Sequence, residues 1–195
     1  MAKIKGVLFY ISLFYLTVYI PLGLMIYFPH WYELNCHWHN RCEILGYDRS
    51  SKAIGELTEF FWHRGELVTR WTMKEKLHLT EVRGMFDKMF FGFVVSVALL
   101  FWTFDRKRVS RYAIANGVII FSLILILPFF TRFWVEIFHP LLFDNDLWKN
   151  NPLDVSWYIM PRQFFKYSTL FLVIVCFLIN FMLWFGFREK RRGGV

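Results

Sequence analysis

Glycine/serine tracts, internal repeats and low-complexity runs are all missing from this 195-residue chain, so no stretch reads as a linker between separate folding units. Acidic residues are few, with 15 Asp and Glu against 23 Lys and Arg, for a formal charge of +8. Cysteine is scarcer still: there are three. Cys176 lies inside an apolar run, which leaves a quinone-linked thiol oxidase without the second reactive pair it needs. No Gly-x-Ser-x-Gly elbow nominates a serine nucleophile, and no two cysteine pairs have the spacing that closes a tetrahedral zinc site. Asp144-Asn145-Asp146 starts like a calcium loop, but Trp148 occupies the next ligand position and no glycine follows.

What the chain has in abundance is apolar side chain, 56% of residues, with 22% aromatic. That excess is gathered into runs, and a hydrocarbon core of roughly 30 Å takes about 20 apolar residues as helix. Four spans are expected, at about 7–28, 86–104, 112–131 and 167–187. The second is short and needs its helix to continue back through Met85 and Phe86. The first run ends Leu24-Met25-Ile26-Tyr27-Phe28 without a small-residue cleavage site, so it reads as a retained anchor.

Basic residues flank these runs. Lys3 and Lys5 precede the first, Arg106, Lys107, Arg108 and Arg111 separate the second from the third, and Arg188, Lys190, Arg191 and Arg192 follow the fourth. The positive-inside rule places all three clusters in the cytoplasm. Such clustering speaks for topology and anionic lipid contact, and against nucleic-acid binding. The expected fold is an all-α membrane protein: one integral membrane domain over 1–195, a four-transmembrane-helix bundle, N-in/C-in, with an extracytoplasmic cap formed by segments 29–85 and 132–166.

All six histidines fall in those outer segments: His30, His37, His39, His63 and His78 in the first, His139 in the second. Ile54, Leu57, Phe60, Phe61, Val68 and Trp71 recur at roughly helical spacing and predict an amphipathic helix at the membrane surface. Cys36 and Cys42 share an exported loop where a disulfide can persist. With His37 and His39 they also offer soft ligands, so a non-enzymatic membrane anchor or accessory protein holding a metal or haem on this loop is the alternative reading.

Two histidines stand at a common height. His139 closes the third span and His78 comes shortly before the second. Arg132 to His139 can prolong the span's helix, which is expected to stop there because the residue before Pro140 disfavours the α region. Glu136 then lies one turn from both Arg132 and His139, able to pair with the guanidinium or orient the imidazole. Histidine is the side chain suited to taking a proton at neutral pH.

The second outer segment, Phe138-His139-Pro140-Leu141-Leu142-Phe143-Asp144-Asn145-Asp146-Leu147-Trp148, continues to Pro152, Asp154, Pro161, Phe164 and Phe165. It resembles the hallmark loop of the bacterial lipoprotein intramolecular transacylase (Lit) family of integral membrane proteins, and Glu75-Lys76-Leu77-His78-Leu79-Thr80-Glu81-Val82 supports the likeness. The sequence departs from that pattern at Glu81, at Lys149-Asn150-Asn151 and in having the cysteine pair. The resemblance implies an acyltransferase of the bacterial cytoplasmic membrane, working on its extracytoplasmic face without a metal or other cofactor. Its partners would be diacylglyceryl-modified lipoproteins and membrane lipid. The reaction moves the sn-2 acyl chain of the diacylglyceryl group to the α-amine of the N-terminal cysteine and leaves a lyso-form lipoprotein. His139 and His78 are the catalytic candidates it nominates. Trp148, Asp146, Asp154, Arg162, Arg132 and Glu136 are candidates for binding substrate or stabilising an oxyanion.

Overall fold

Hydrocarbon offers a peptide group no hydrogen-bond partner, so a spanning segment must satisfy its own backbone as helix. In a computed structural model, which describes residues 2–188, the regular elements are helical throughout. They are α1 (Ala2–Tyr27), α2 (Pro29–Cys36), α3 (Arg41–Leu45), α4 (Tyr47–Phe61) and α5 (Met73–Thr103), then α6 (Arg106–Ser122), α7 (Phe130–Arg132), α8 (His139–Leu142), α9 (Val155–Ile159) and α10 (Arg162–Phe187). Four stretches are long and apolar enough to cross a membrane: Lys3–Tyr27, Met73–Thr103, Arg106–Leu142 and Arg162–Phe187. Of the basic cluster after the fourth, Arg188 is described, with its guanidinium 4.2 Å above the ring of Phe185, while Lys190, Arg191 and Arg192 lie outside the described residues.

α5 begins at Met73, well before its apolar stretch, and the reason is a capping box. Thr72 Oγ1 accepts the Glu75 N–H at 3.3 Å, while Glu75 Oε2 accepts the N–H of Thr72 at 2.9 Å. At the other end the turn into α6 is tight, with Asp105 accepting the N–H of Lys107 and pairing with Arg108 at 2.9 Å.

The third apolar stretch is composite. After α6 the chain tightens into a 3-10 segment, Leu123–Phe129, that contains Pro128. It then makes one α turn in α7 and widens into a π segment, Phe133–Phe138. The expected stop at His139 does not occur: that residue has φ −68° and ψ −47°, and the helix continues to Leu142. Pro140 has no N–H and its ring would collide with a carbonyl in a regular α ladder, and widened turns relieve that conflict.

The chain divides into two compact units. One comprises the residues up to Pro21, Met89–Leu125 and those from Leu170 onward. Its interior is made of Phe9, Leu13 and Val109, with Tyr112 and Leu183 against them, and of Ile120, Val173 and Cys176 packed with Phe14 and Val18. Much apolar surface stays outside: Phe101 is 82% exposed and Leu125 75%. Apolar area on that scale is at home in lipid.

The other unit comprises Leu22–Lys88 and Ile126–Thr169 and carries the loops. Cys36 and Cys42 are joined by a disulfide across a Cα–Cα distance of 5.4 Å. The turn it closes holds Arg41, whose guanidinium lies 3.7 Å over the ring of Trp157 and donates to the Trp157 carbonyl at 2.9 Å. α4 buries Ile54, Leu57, Phe60 and Phe61, as the periodicity predicts. Val68 and Trp71 do not extend it, because the chain reverses at His63, at φ 56°. Val68 is exposed, and Trp71 is buried from a loop.

That loop is held by one side chain. Glu56 accepts from Val68 N, Thr69 N, Thr69 Oγ1 and Trp71 Nε1 at 2.5–3.1 Å. Partial burial pushes its pKa up, but the four hydrogen bonds outweigh this and hold the carboxyl below the usual carboxylate range. A carboxyl depressed on folding adds stability above its unfolded pKa and loses it as pH falls through the folded value. Glu56→Gln should therefore cost about 1–3 kcal/mol near neutral pH. Melting curves between pH 7 and pH 3 should show the wild type losing more stability on acidification than the variant.

Candidate active site

The site grows from the end of the third apolar stretch. In the π register the main-chain N–H of His139 bonds the carbonyl of Trp134, five residues back. The imidazole turns to the same oxygen, with Nδ1 2.7 Å from Trp134 O. A carbonyl only accepts, so Nδ1 carries the proton and donates, which leaves Nε2 as the basic nitrogen of the neutral ring.

Aromatic side chains wall the ring in, and His139 is only 6% exposed. Trp148 stacks on it, centroids 4.2 Å apart at 28°. Trp134 meets it edge-on at 4.7 Å and itself stacks on Phe165 and Phe138 at 4.6 and 4.5 Å. Phe143 links it to the second histidine, lying 6.0 Å from His139 and 4.8 Å from His78. Beside them, Pro140, Phe143, Asn145 and Trp148 line an open depression of about 420 Å³.

His78 is held less tightly. Its Nδ1 lies 3.5 Å from Glu81 Oε2, too long for a good hydrogen bond, and that atom is buried with no other partner. Glu81 Oε1 accepts from Asn145 Nδ2 at 2.8 Å, so this carboxylate ties α5 to the loop after α8.

One turn before His78 on α5 lies a buried polar knot that no single-residue motif announces. Glu75 is 2% exposed. Its Oε1 accepts from Ser156 N and Ser156 Oγ at 2.7 and 2.6 Å, and its Oε2 also takes the Thr72 hydroxyl at 3.0 Å. Asp154, 1% exposed, pairs with Lys74 at 2.5 Å and accepts from Thr72 Oγ1 and Asn151 N. The knot ties the first turn of α5 to α9, three residues before His78.

The candidates therefore separate. His139, His78 and Trp148 come together. Asp154 is committed to the knot. Asp146 lines the depression together with Asp144, exposed and paired with Lys149 at 2.7 Å. Arg132 and Glu136 pair with each other at 2.8 Å, both exposed, so the imidazole is oriented by the Trp134 carbonyl and not by Glu136. Arg162 is exposed on the first turn of α10 and forms no ion pair among the described residues. The sulfurs of Cys36 and Cys42 are spent on each other, which removes them as thiolate ligands. Glu75, Trp134 and Phe143 are the residues that sequence reasoning passed over. Thr72-x-x-Glu75 is legible as a capping box, but nothing local signals that its carboxylate also holds Ser156.

Fold and site together define a multi-pass, all-α membrane protein with a buried histidine at the head of its third span. The sequence model of the lipoprotein intramolecular transacylase Lit matches residues 7–165. The chain belongs to that family and is an acyltransferase. Its fold is similar to that of the membrane integral lipoprotein intramolecular transacylase Lit from Bacillus cereus, with TM-score 0.84 and 16% identity over 100% of this chain and 99% of that one. Two further structures of the Bacillus cereus protein, with one histidine replaced by alanine or by arginine, each give 0.78, covering 96% of this chain and 92% and 91% of theirs. No curated protein sequence matches the chain.

Each Glu75 carboxylate oxygen accepts a main-chain N–H, Oε1 from Ser156 and Oε2 from Thr72, so Glu75→Gln must turn its amide N–H₂ toward one group that can only donate. It should cost about 1–3 kcal/mol. Thermal unfolding of the detergent-solubilised protein checks this, and a wild-type midpoint would show that the knot carries little.

Proposed function

We propose that this acyltransferase moves the sn-2 acyl chain of a lipoprotein's diacylglyceryl group onto the α-amine of the same lipoprotein's N-terminal cysteine, with His139 as general base. The observation that carries the reading is the Nδ1 contact to Trp134, which leaves Nε2 as the bare nitrogen of a ring whose neighbours Pro140, Phe143 and Trp148 line an open depression.

The chemistry balances within one substrate. The α-amine attacks the ester carbonyl, a C–N bond forms and the C–O bond to the glyceryl sn-2 oxygen breaks. The proton lost from nitrogen passes to Nε2 of His139 and ends on the departing glyceryl alkoxide, which becomes the free hydroxyl of the lyso form. Amide replaces ester, so the exchange runs forward without ATP. Nucleophile and ester already share a molecule, and the protein's task is to fold flexible chains into a medium-sized ring. Wedging them against Trp148 and Phe143 serves that end, and excluding water from the ring keeps hydrolysis from competing. His78, across Phe143, is the second proton handler, with the Glu81 carboxylate beside it. Trp148 and Arg162 remain the candidates for facing the oxyanion.

The proposed setting is the bacterial cytoplasmic membrane, with both termini inside and segments 29–85 and 132–166 on the outer face, where exported lipoproteins reside. The basic residues in the first turns of α1 and α6 support that orientation.

Incubating the purified protein with a synthetic diacylglyceryl lipopeptide should leave total mass unchanged while fragmentation finds one acyl chain moved to the amine. His139→Ala should retain its fold by melting and lose about 10²- to 10⁴-fold in rate, the usual weight of a general base. Wild-type conversion by that variant would remove His139 from the chemistry. His78→Ala should fall between the two.

A further inference from the structure

α5 carries a second group of polar side chains that acyl transfer does not use. Lys76, Thr80 and Arg83 follow at helical spacing on a face distinct from that of Glu75 and His78. With Phe60, Glu66 and Leu67 they line a groove of about 300 Å³ within the loop-bearing unit. Arg83 is half-buried, its guanidinium 4.0 Å above the Phe60 ring with one N–H 3.4 Å from the Phe60 carbonyl. Lys76 is half-buried as well. Among the described residues neither cation forms an ion pair, and neither does Glu66.

Two half-shielded cations that form no ion pair among the described residues make an anion site, and guanidinium suits phosphate through its planar fork of donors. A carboxylate on the same groove asks for a positive group on the same ligand. The height is fixed independently. Trp62 Nε1 donates at 2.9 Å to the carbonyl of Tyr27, the last residue of α1, so the end of α4 that supplies Phe60 lies where the first span ends. α5 runs on to Thr103, about 30 Å beyond Arg83 at 1.5 Å per residue, the thickness of a hydrocarbon core. The groove therefore lies at headgroup level.

We propose that it binds the phosphoethanolamine headgroup of a membrane phospholipid, with phosphate against Lys76 and Arg83 and the ammonium against Glu66. A diacylglyceryl thioether has no phosphate, so this lipid is a resident ligand and not the acyl-transfer substrate.

Native mass spectrometry of the full-length protein, mixed with equal amounts of phosphatidylethanolamine, phosphatidylglycerol and phosphatidylcholine of the same chains, tests the assignment. One phosphatidylethanolamine should be retained about five-fold or more over either competitor. Lys76→Gln with Arg83→Gln should lower that retention about ten-fold, the loss of roughly 1.4 kcal/mol of charge-assisted bonding. Glu66→Gln, at an exposed position where folding is not at stake, should erase the preference over phosphatidylglycerol while phosphate-dependent retention persists. Equal retention of the three lipids by the wild type, preference for phosphatidylglycerol, undiminished retention by the double variant, or an intact preference in Glu66→Gln would each overturn the proposal.

Discussion

The carbonyl of Trp134 receives two hydrogens from one residue, the main-chain N–H and the imidazole Nδ1–H of His139. Much of the site depends on that shared acceptor. A regular α ladder would spend it on the N–H of Phe138 and leave the imidazole free to rotate. The π register, placed just before a proline that could not have continued the ladder, hands it to His139 instead. One residue of extra helix thus does three things: it carries the chain past Pro140, points the imidazole inward and fixes which ring nitrogen holds the proton. Helical defects of this kind often coincide with functional positions, since a regular helix has no spare acceptors.

Around the histidines the shell is aromatic, and one turn away on α5 it is ionic. Trp148, Trp134 and Phe143 give a low-dielectric wall that leaves little room for water around the imidazole. Glu75 and Asp154 are taken almost fully out of solvent, an arrangement that costs several kcal/mol per ion unless hydrogen bonds replace the lost water. Here they do: Thr72, Ser156, Asn151 and Lys74 supply the donors. Thr72, Lys74 and Ser156 each lie some eighty residues from a carboxylate they serve, so the knot is a long-range constraint linking α5 to α9. The disulfide and the Arg41–Trp157 contact brace α9 from its other side.

Physical regularities of composition made the four spans legible. Runs free of charge must be helical in lipid, and Val7 through Phe28 or Tyr167 through Phe187 admit no other reading. The pairing of His78 with His139 was readable too, because topology alone puts both at one height, and the loop from His139 to Trp148 carries a family pattern. Other features depended on tertiary context. The backbone rule for residues before proline predicted an end at His139, and the π turns reversed it. Apolar spacing carried the amphipathic helix on to Val68 and Trp71, whereas Glu56 and the turn at His63 set its true end. Glu136 was the natural choice to orient the imidazole, since sequence spacing sees side chains and not a freed carbonyl. Asp154 looked like a loop acid open to substrate until its partners, among them Thr72 and Lys74, were brought to it by folding.

The tautomer of one ring is where these strands meet. Nitrogen-15 NMR of protein labelled at histidine, with His139 assigned by its absence from a His139→Gln sample, reads the two ring nitrogens directly at a pH where the imidazole is neutral. A protonated Nδ1 and a bare Nε2 are predicted. A proton found on Nε2 with Nδ1 bare would contradict the Trp134 contact and leave the proposed base facing the wrong way.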